Sequence, residues 1–115
     1  MSSNTARSIM SAAQRRREDR RPDPRLEGIS GSYRFDVDGV GSWRIEVRDG
    51  IVTISESTAA ADCVVRCDEG DFVRLANGEQ NLLTALLQGR VQVEGDYALA
   101  QRLHGFIRVT RDRAA

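Results

Sequence analysis

Two cysteines and one histidine are the side chains in this sequence best suited to bind a metal or attack a substrate. Cys63 and Cys67 lie four residues apart in a β-branched run. On a strand that spacing separates their Cα atoms by roughly 13 Å, which is too far for a disulfide. A zinc site would need carboxylates besides His104, and no such cluster stands out. We therefore interpret both thiols as small buried hydrophobic groups.

The other candidates for chemistry have simpler structural explanations. His104 falls at the edge of the apolar face of the last predicted helix, a place typical of a half-exposed structural histidine rather than a base. Asp36 and Asp38 point to one side of a strand beside a turn, and we interpret them as solvated turn acids. The glycines at 28, 31, 39 and 41 do not lead from a strand into a helix, which argues against a dinucleotide loop. The sequence therefore predicts no catalytic residue, no metal site and no cofactor.

Composition points to one soluble domain. The chain has 115 residues, and its 17 arginines, with no lysine, balance 17 acidic residues. This zero net charge gives no electrostatic case for binding nucleic acid and allows at most peripheral contact with a membrane. Because no stretch approaches the ~18 apolar residues of a membrane span, and no secretory leader is evident, we expect a cytoplasmic protein.

The N-terminal region, residues 1–27, differs from the rest of the chain in its excess of arginine. The run Gln14–Arg25 contains no apolar residue, and Pro22 and Pro24 would stop any helix that starts near Ser8. We predict a basic arm, partly disordered or forming a short helix, with contact to an acidic partner or lipid headgroups as the alternative. The folded domain is expected over residues 28–110, followed by a tail at 111–115.

Alternation of apolar and polar residues then predicts five strands. Tyr33–Val37 and Trp43–Val47 alternate on either side of a turn, and Asp49–Gly50 predicts a tight hairpin into a third strand. A fourth strand covers Asp62–Cys67, with Cys63, Val65 and Cys67 on one face. Val91 and Val93 belong to a short fifth strand.

Helices are predicted between and after the last two strands. Phe72, Leu75 and Ala76 lie on one face of a short helix. Asn81 can cap a second helix, whose leucines at 82, 83, 86 and 87 form a wide apolar stripe that suits either ordinary core or the wall of a cavity. Asp96 can cap a last helix. Strands first and helices later indicate an α+β fold with helices on one face of the sheet.

The stretch GEQNLLTALLQGRVQVEGD, residues 78–96, resembles the lipid-binding domain of the sterol carrier protein type-two family. The positions that carry the resemblance are Gly78, Asn81, Ala85, Gly89, Arg90, Val91, Val93, Gly95 and Asp96. The strand of Trp43, the turn at Asp49–Gly50 and the Ala61–Asp62 pair also look like the family. The resemblance covers about Leu26 to Ile107.

This resemblance implies a five-stranded, mostly antiparallel sheet whose helices cover one face, with an apolar tunnel between the two layers for a sterol, a fatty acyl chain or a similar lipid. We predict that the pocket is lined by Phe35, Trp43, Ile45, Phe72, Leu75, Leu82, Leu83, Leu86, Leu87, Leu99, Leu103 and Phe106. The family's domain usually opens with a long amphipathic helix, whereas the Arg-rich start of this chain offers few apolar residues for that wall.

Three functions fit these observations. The first is a non-catalytic carrier of a lipid or other apolar small molecule. The second is an accessory module that works beside an enzyme, which would involve a protein partner or a homodimer. The third is a small cyclase-like enzyme that folds a polyketide or terpenoid chain in the same pocket, where positioning alone accelerates the reaction.

Overall fold

The computed structural model describes residues 5–16 and 21–100. Its strands and the helices that follow them occur in the order predicted from the sequence, and a short helix precedes them. They are helix α1 (Ala6–Arg16), a 3-10 turn (Pro24–Leu26), strands β1 (Gly31–Val37), β2 (Gly41–Arg48), β3 (Ile51–Glu56) and β4 (Cys63–Cys67), helices α2 (Glu69–Ala76) and α3 (Leu82–Leu87), and strand β5 (Val91–Gly95). A further helical segment begins at residues 97–100.

The sheet confirms the predicted α+β architecture. Its strand order is β3-β2-β1-β4-β5, and every neighbouring pair is antiparallel except β1 with β4. The hairpin between β2 and β3 turns at Asp49 and Gly50, whose φ angles of 54° and 78° are those of the two-residue turn that the sequence predicts.

The link from β3 to β4, residues 57–62, is called the strap here, because it crosses the outer face of the sheet. It starts beside β2, where Ser57 N donates to Ser42 O, and ends beside the first residues of β1. Arg34 donates to the carbonyls of residues 58 and 59 at 3.0 and 3.2 Å, and Arg44 donates to that of residue 60 at 3.0 Å. This return path brings β4 parallel to β1.

The two faces of the sheet differ as the alternation predicts. The inner face, which the helices cover, consists of buried apolar side chains: Tyr33, Phe35, Val37, Trp43, Ile45, Val47, Val52, Cys63, Val65, Cys67, Val91 and Val93. The outer face carries ion pairs, among them Arg34 with Asp36 at 2.8 Å and Arg44 with Glu46 at 3.0 Å. Strand alternation therefore separates an apolar layer from a charged one.

Side-chain caps begin the helices where the sequence predicts them. Asn81 accepts from the amides of Leu83 and Thr84 at 2.8 and 3.2 Å, and Asp96 accepts from those of Ala98 and Leu99. Asp68 does the same for α2. These carboxylate and amide oxygens satisfy amides that have no partner inside the helix.

The N-terminal region is more ordered than its composition suggests. Helix α1 buries Ala6, Met10 and Ala13, and its first amide donates to the Glu69 carboxylate of α2 at 2.9 Å. At its other end, Gln14 Nε2 donates to the carbonyl of Ile54 in β3 at 3.0 Å. We predicted an arm that is partly disordered or forms a short helix, and Ala6–Arg16 is helical. Its packing against the core was not predicted, because two of the three buried side chains are alanines, which allow close packing with little apolar signal in the sequence.

Candidate functional site

The predicted pocket residues that the structure describes fall into two groups. Six are buried together in one core between the inner face and the helices: Phe35, Trp43, Ile45, Phe72, Leu75 and Leu82. Leu99 is also buried, and Leu86 packs against this core while partly exposed. Leu83 and Leu87, by contrast, are 61% and 79% exposed. Leu103 and Phe106 lie outside the described residues, so the full lining of a pocket stays a prediction.

Aromatic side chains join the helical layer to the inner face. The rings of Phe35 on β1 and Phe72 on α2 meet edge to face, with centroids 5.4 Å apart and planes at 77°, an arrangement that aromatic pairs favour. Trp43 on β2 lies beneath α1, where the Arg7 guanidinium is 5.4 Å from its ring centroid. These contacts hold α1 against β2 and α2 against β1.

One polar group on the inner face was missed by the sequence analysis. Tyr33 is fully buried, and its hydroxyl donates to the carbonyl of Leu99 at 3.0 Å. Leu99 also approaches Gly31 so closely that a Cβ there would lie 2.8 Å from its Cδ1. The last helical segment is therefore held against the start of β1. A tyrosine among the inward-facing apolar residues of a strand is the sequence signal that could have indicated this hydrogen bond.

The two cysteines are free and buried on the inner face. Burial raises the pKa of the Cys63 thiol to about 11 and that of the Cys67 thiol to about 12. Both thiols are therefore neutral near pH 7 and weak as nucleophiles, since the thiolate is the reactive form. Their location agrees with the interpretation of small hydrophobic groups.

The two candidate acids lie away from the inner face. Asp36 is not a solvated turn acid as we expected: it stands on β1 at the centre of an ion network with Arg34 and, at 3.5 Å, Arg66. Its hydrogen bond from Arg34 holds the pKa of this carboxyl below its ordinary value. Asp38 is exposed in the turn after β1. Asp36 therefore has a structural role, because charged partners account for its position.

A groove of about 470 Å³ opens at the hairpin end of the sheet, which the sequence analysis did not predict. Three carboxylate residues and two prolines contribute to its lining, which comprises Pro22, Asp23, Pro24, Glu27, Gly28, Ile29, Ser30, Asp49 and Gly50.

Within the described residues, no group of three or more histidine, cysteine or acidic side chains is arranged to hold a metal ion. Nor is any helix among them long and apolar enough to cross a bilayer.

Comparison with known proteins agrees with the fold. The profile of the SCP-2 sterol transfer family matches residues 10–108. The chain belongs to this family. The resemblance seen in residues 78–96 is thereby confirmed, and the match also includes most of α1.

Individual relatives of this SCP-2 family domain are larger proteins. Sterol carrier protein 2 from Homo sapiens is 32% identical over 84 residues, which are 68% of this chain and 15% of that protein. Hydroxysteroid dehydrogenase-like protein 2 from Xenopus tropicalis is 31% identical over 82 residues, 68% of this chain and 20% of that protein. The chain thus spans a fifth or less of these relatives.

Among solved structures, sterol carrier protein 2 from Yarrowia lipolytica, in its apo form, has the same fold. It superposes with a TM-score of 0.74 at 14% sequence identity, covering 91% of both chains. At that identity the likeness concerns the fold alone.

Proposed function

We propose that this SCP-2 family domain carries an apolar small molecule, such as a sterol, a fatty acyl chain or a similar lipid, between the inner face of the sheet and its helices. The observation that carries the proposal is the contrast between the two faces. The buried side chains of the inner face are apolar apart from the hydroxyl of Tyr33, which donates to the carbonyl of Leu99. Such a layer offers an oily ligand a large contact area and few polar groups to desolvate.

The names of the relatives support this class of ligand. Two of the matched proteins, sterol carrier protein 2 and hydroxysteroid dehydrogenase-like protein 2, are named for sterols or steroids. The neutral thiols of Cys63 and Cys67 and the paired carboxylate of Asp36 offer no nucleophile or base next to the ligand. We therefore favour binding and transfer over a cyclase-like reaction.

The test is to look for a bound molecule and for stabilisation by an added one. Native mass spectrometry of freshly purified protein should show a bound lipid that organic solvent extracts. Adding a long-chain fatty acid or a sterol at about 100 times its Kd should raise the Tm by roughly 10 °C. No bound molecule and no shift with either ligand would refute the proposal.

Helix α3 supplies a matched pair of variants for this test. Leu86 packs against the buried core, whereas Leu87 is 79% exposed. We expect Leu86→Arg to abolish binding or folding, because it places a charge against apolar side chains. Leu87→Arg should fold, and its ligand affinity tells whether this leucine belongs to the pocket as predicted.

A second candidate function is an accessory module for an enzyme. The observation in its favour is that the matched region forms only 20% of a protein named as dehydrogenase-like. A stable protein partner recovered with the purified chain, together with native mass spectra that show no ligand, would favour this function. Action in the cytoplasm and association with a partner or a second copy stay predictions.

A further inference from the structure

The groove at the hairpin end of the sheet, called the hairpin groove here, lies between two segments that are held together. One segment is the stretch that leads into β1, residues 22–30, and the other is the turn at Asp49 and Gly50. Asp23 N donates to the carbonyl of Gly50 at 2.9 Å. A Cβ at Gly50 would lie 3.0 Å from Asp23 N, so glycine at this position allows the turn to come this close.

The walls of the hairpin groove are fixed by the fold. Leu26, at the end of the 3-10 turn, is fully buried in the core and anchors the first segment. The amides of Leu26 and Ile29 donate to the carbonyls of Asp23 and Leu26 at 2.9 and 3.0 Å. The rings of Pro22 and Pro24 restrict the backbone further. The volume of about 470 Å³ lies within the range of ligand sites, roughly 300–1,000 Å³.

The charge along the hairpin groove is negative. Glu27 and Asp49 are exposed, one on each wall, and no arginine is among the lining residues. None of the ion pairs within the described residues includes either carboxylate. Arg48, next to Asp49 in the chain, pairs with Glu46 at 3.1 Å instead. The groove therefore combines the apolar surface of its prolines and Ile29 with two carboxylates that attract a cation.

A basic side chain fits these features better than a metal ion does. No group of acidic side chains in the described part of the chain is arranged to hold a metal. A long basic side chain packs its methylene stem on apolar surface and keeps its charge at the tip. The guanidinium of arginine also presents donors in a fork that matches a carboxylate.

We propose that the hairpin groove docks a basic segment of a partner protein, with an arginine side chain between Glu27 and Asp49 and its apolar neighbours on the prolines. Charge complementarity selects this occupant, and a lining of nine residues admits several positions of an extended chain. The matched region occurs within much longer proteins, where such a surface would meet other segments. The inference goes beyond the carrier function and does not depend on it, because the groove lies outside the inner face.

The experiment uses synthetic peptides that differ in charge alone. A capped hexapeptide of alternating arginine and leucine is compared with one in which citrulline, an uncharged analogue of similar shape, replaces each arginine. By isothermal titration at low ionic strength, the arginine peptide should bind the native protein about tenfold more tightly, as charge-assisted hydrogen bonds predict. Raising the salt from about 0.01 M to about 0.15 M should weaken it severalfold, because the Debye length falls from roughly 30 to 8 Å.

Conservative variants assign the preference to the two carboxylates. Glu27→Gln and Asp49→Asn should each reduce the preference for the arginine peptide about threefold, and the double variant should abolish it. Asparagine tolerates the positive φ of 54° at position 49, so the turn is kept. The matched control is Asp38→Asn, which removes an exposed charge from the turn at the opposite end of β2. It should bind the arginine peptide like the native protein.

Several outcomes would overturn the inference. Equal binding of the arginine and citrulline peptides by the native protein would refute it. A charge preference that survives in the double variant would place the docking site elsewhere. Binding of a single capped arginine as tightly as the hexapeptide would make the groove a site for small cations. Self-association of the native chain that the double variant loses would make a second copy the occupant. The Tm shift with fatty acid reports on the carrier function separately in each case.

Discussion

The inner and outer faces of the sheet are built from the same five strands and differ in what stabilises them. On the outer face, charged side chains pair with one another, and Arg34 and Arg44 also donate to carbonyls of the strap. These partners lie within the sheet or in the strap that joins β3 to β4. The inner face depends on covering by α1, α2, α3 and the last helical segment. The proposed carrier function therefore places the ligand on the inner side, because the cover of that face is made of separate elements that a bound molecule can part or bridge.

The largest expected effect comes from truncating the inner face. Phe35→Ala removes the ring that meets Phe72 and should lower the free energy of unfolding by about 3–5 kcal/mol, because it leaves a cavity in packed core. Urea unfolding without ligand measures this. Thr53→Ala, at an exposed position of the outer face, is the control and should change the stability by less than ~0.5 kcal/mol.

The size of that loss also bears on the pocket. A loss near 1 kcal/mol for Phe35→Ala would mean that the ring already borders open space. The inner face would then line a cavity instead of a fully packed core. In that case, a ligand that fills the space should increase the free energy of unfolding of the native protein by a larger amount. A loss as small as that of Thr53→Ala would contradict the distinction between the faces.

An intermediate effect is expected from the arginines of the outer face. The side chain of Arg34 is 18% exposed, pairs with Asp36 and holds two carbonyls of the strap. Arg34→Gln should therefore cost about 1–3 kcal/mol, since it leaves these acceptors without their charged donor. Arg66 reaches the same carboxylate at 3.5 Å but is 46% exposed, and Arg66→Gln should cost less than ~1 kcal/mol.

Limited proteolysis within residues 57–62 and urea unfolding check this pair of variants. The strap should become sensitive to protease in Arg34→Gln and stay resistant in Arg66→Gln. Equal losses of stability in the two variants would show that the strap carbonyls contribute nothing beyond the ion pair.

Local patterns were enough to predict the strands, the hairpin and the helix caps. Alternation defines which side chains share a face, and a residue such as Asn81 or Asp96 has one obvious acceptor role at the start of a helix. These features depend on neighbours within a few positions of the sequence. The confirmed fold class follows from them.

Features that depend on contacts between distant residues were not predicted from the sequence. The position of β4 beside β1 depends on the bonds that Arg34 and Arg44 make to the strap. Docking of α1 depends on small buried side chains.

The smallest expected effect is a change in the stability of the protein at acid pH. It concerns the outer face and not the inner one, because the ion network of Asp36 lies on the outer face. The pKa of Asp36 is lowered, chiefly by its hydrogen bond from Arg34, so its folded-state value lies below the unfolded one. A carboxyl of this kind stabilises the fold fully above the unfolded-state pKa and loses that contribution as the pH falls through the folded-state pKa. In Asp36→Asn, the deficit in Tm relative to the native protein should be constant above about pH 5 and shrink below about pH 4.

Thermal melts across that pH range test this, with Thr53→Ala as a control that titrates no group and should keep a constant difference from the native protein. Replacing Asp36 leaves the inner face untouched, so the affinity for a long-chain fatty acid at neutral pH should stay within about twofold of the native value, because no contact of the apolar layer changes. A deficit that grows toward acid pH would mean that protonated Asp36 is the stabilising form, and the outer face would then be held by hydrogen bonds to a neutral carboxyl instead of by ion pairs.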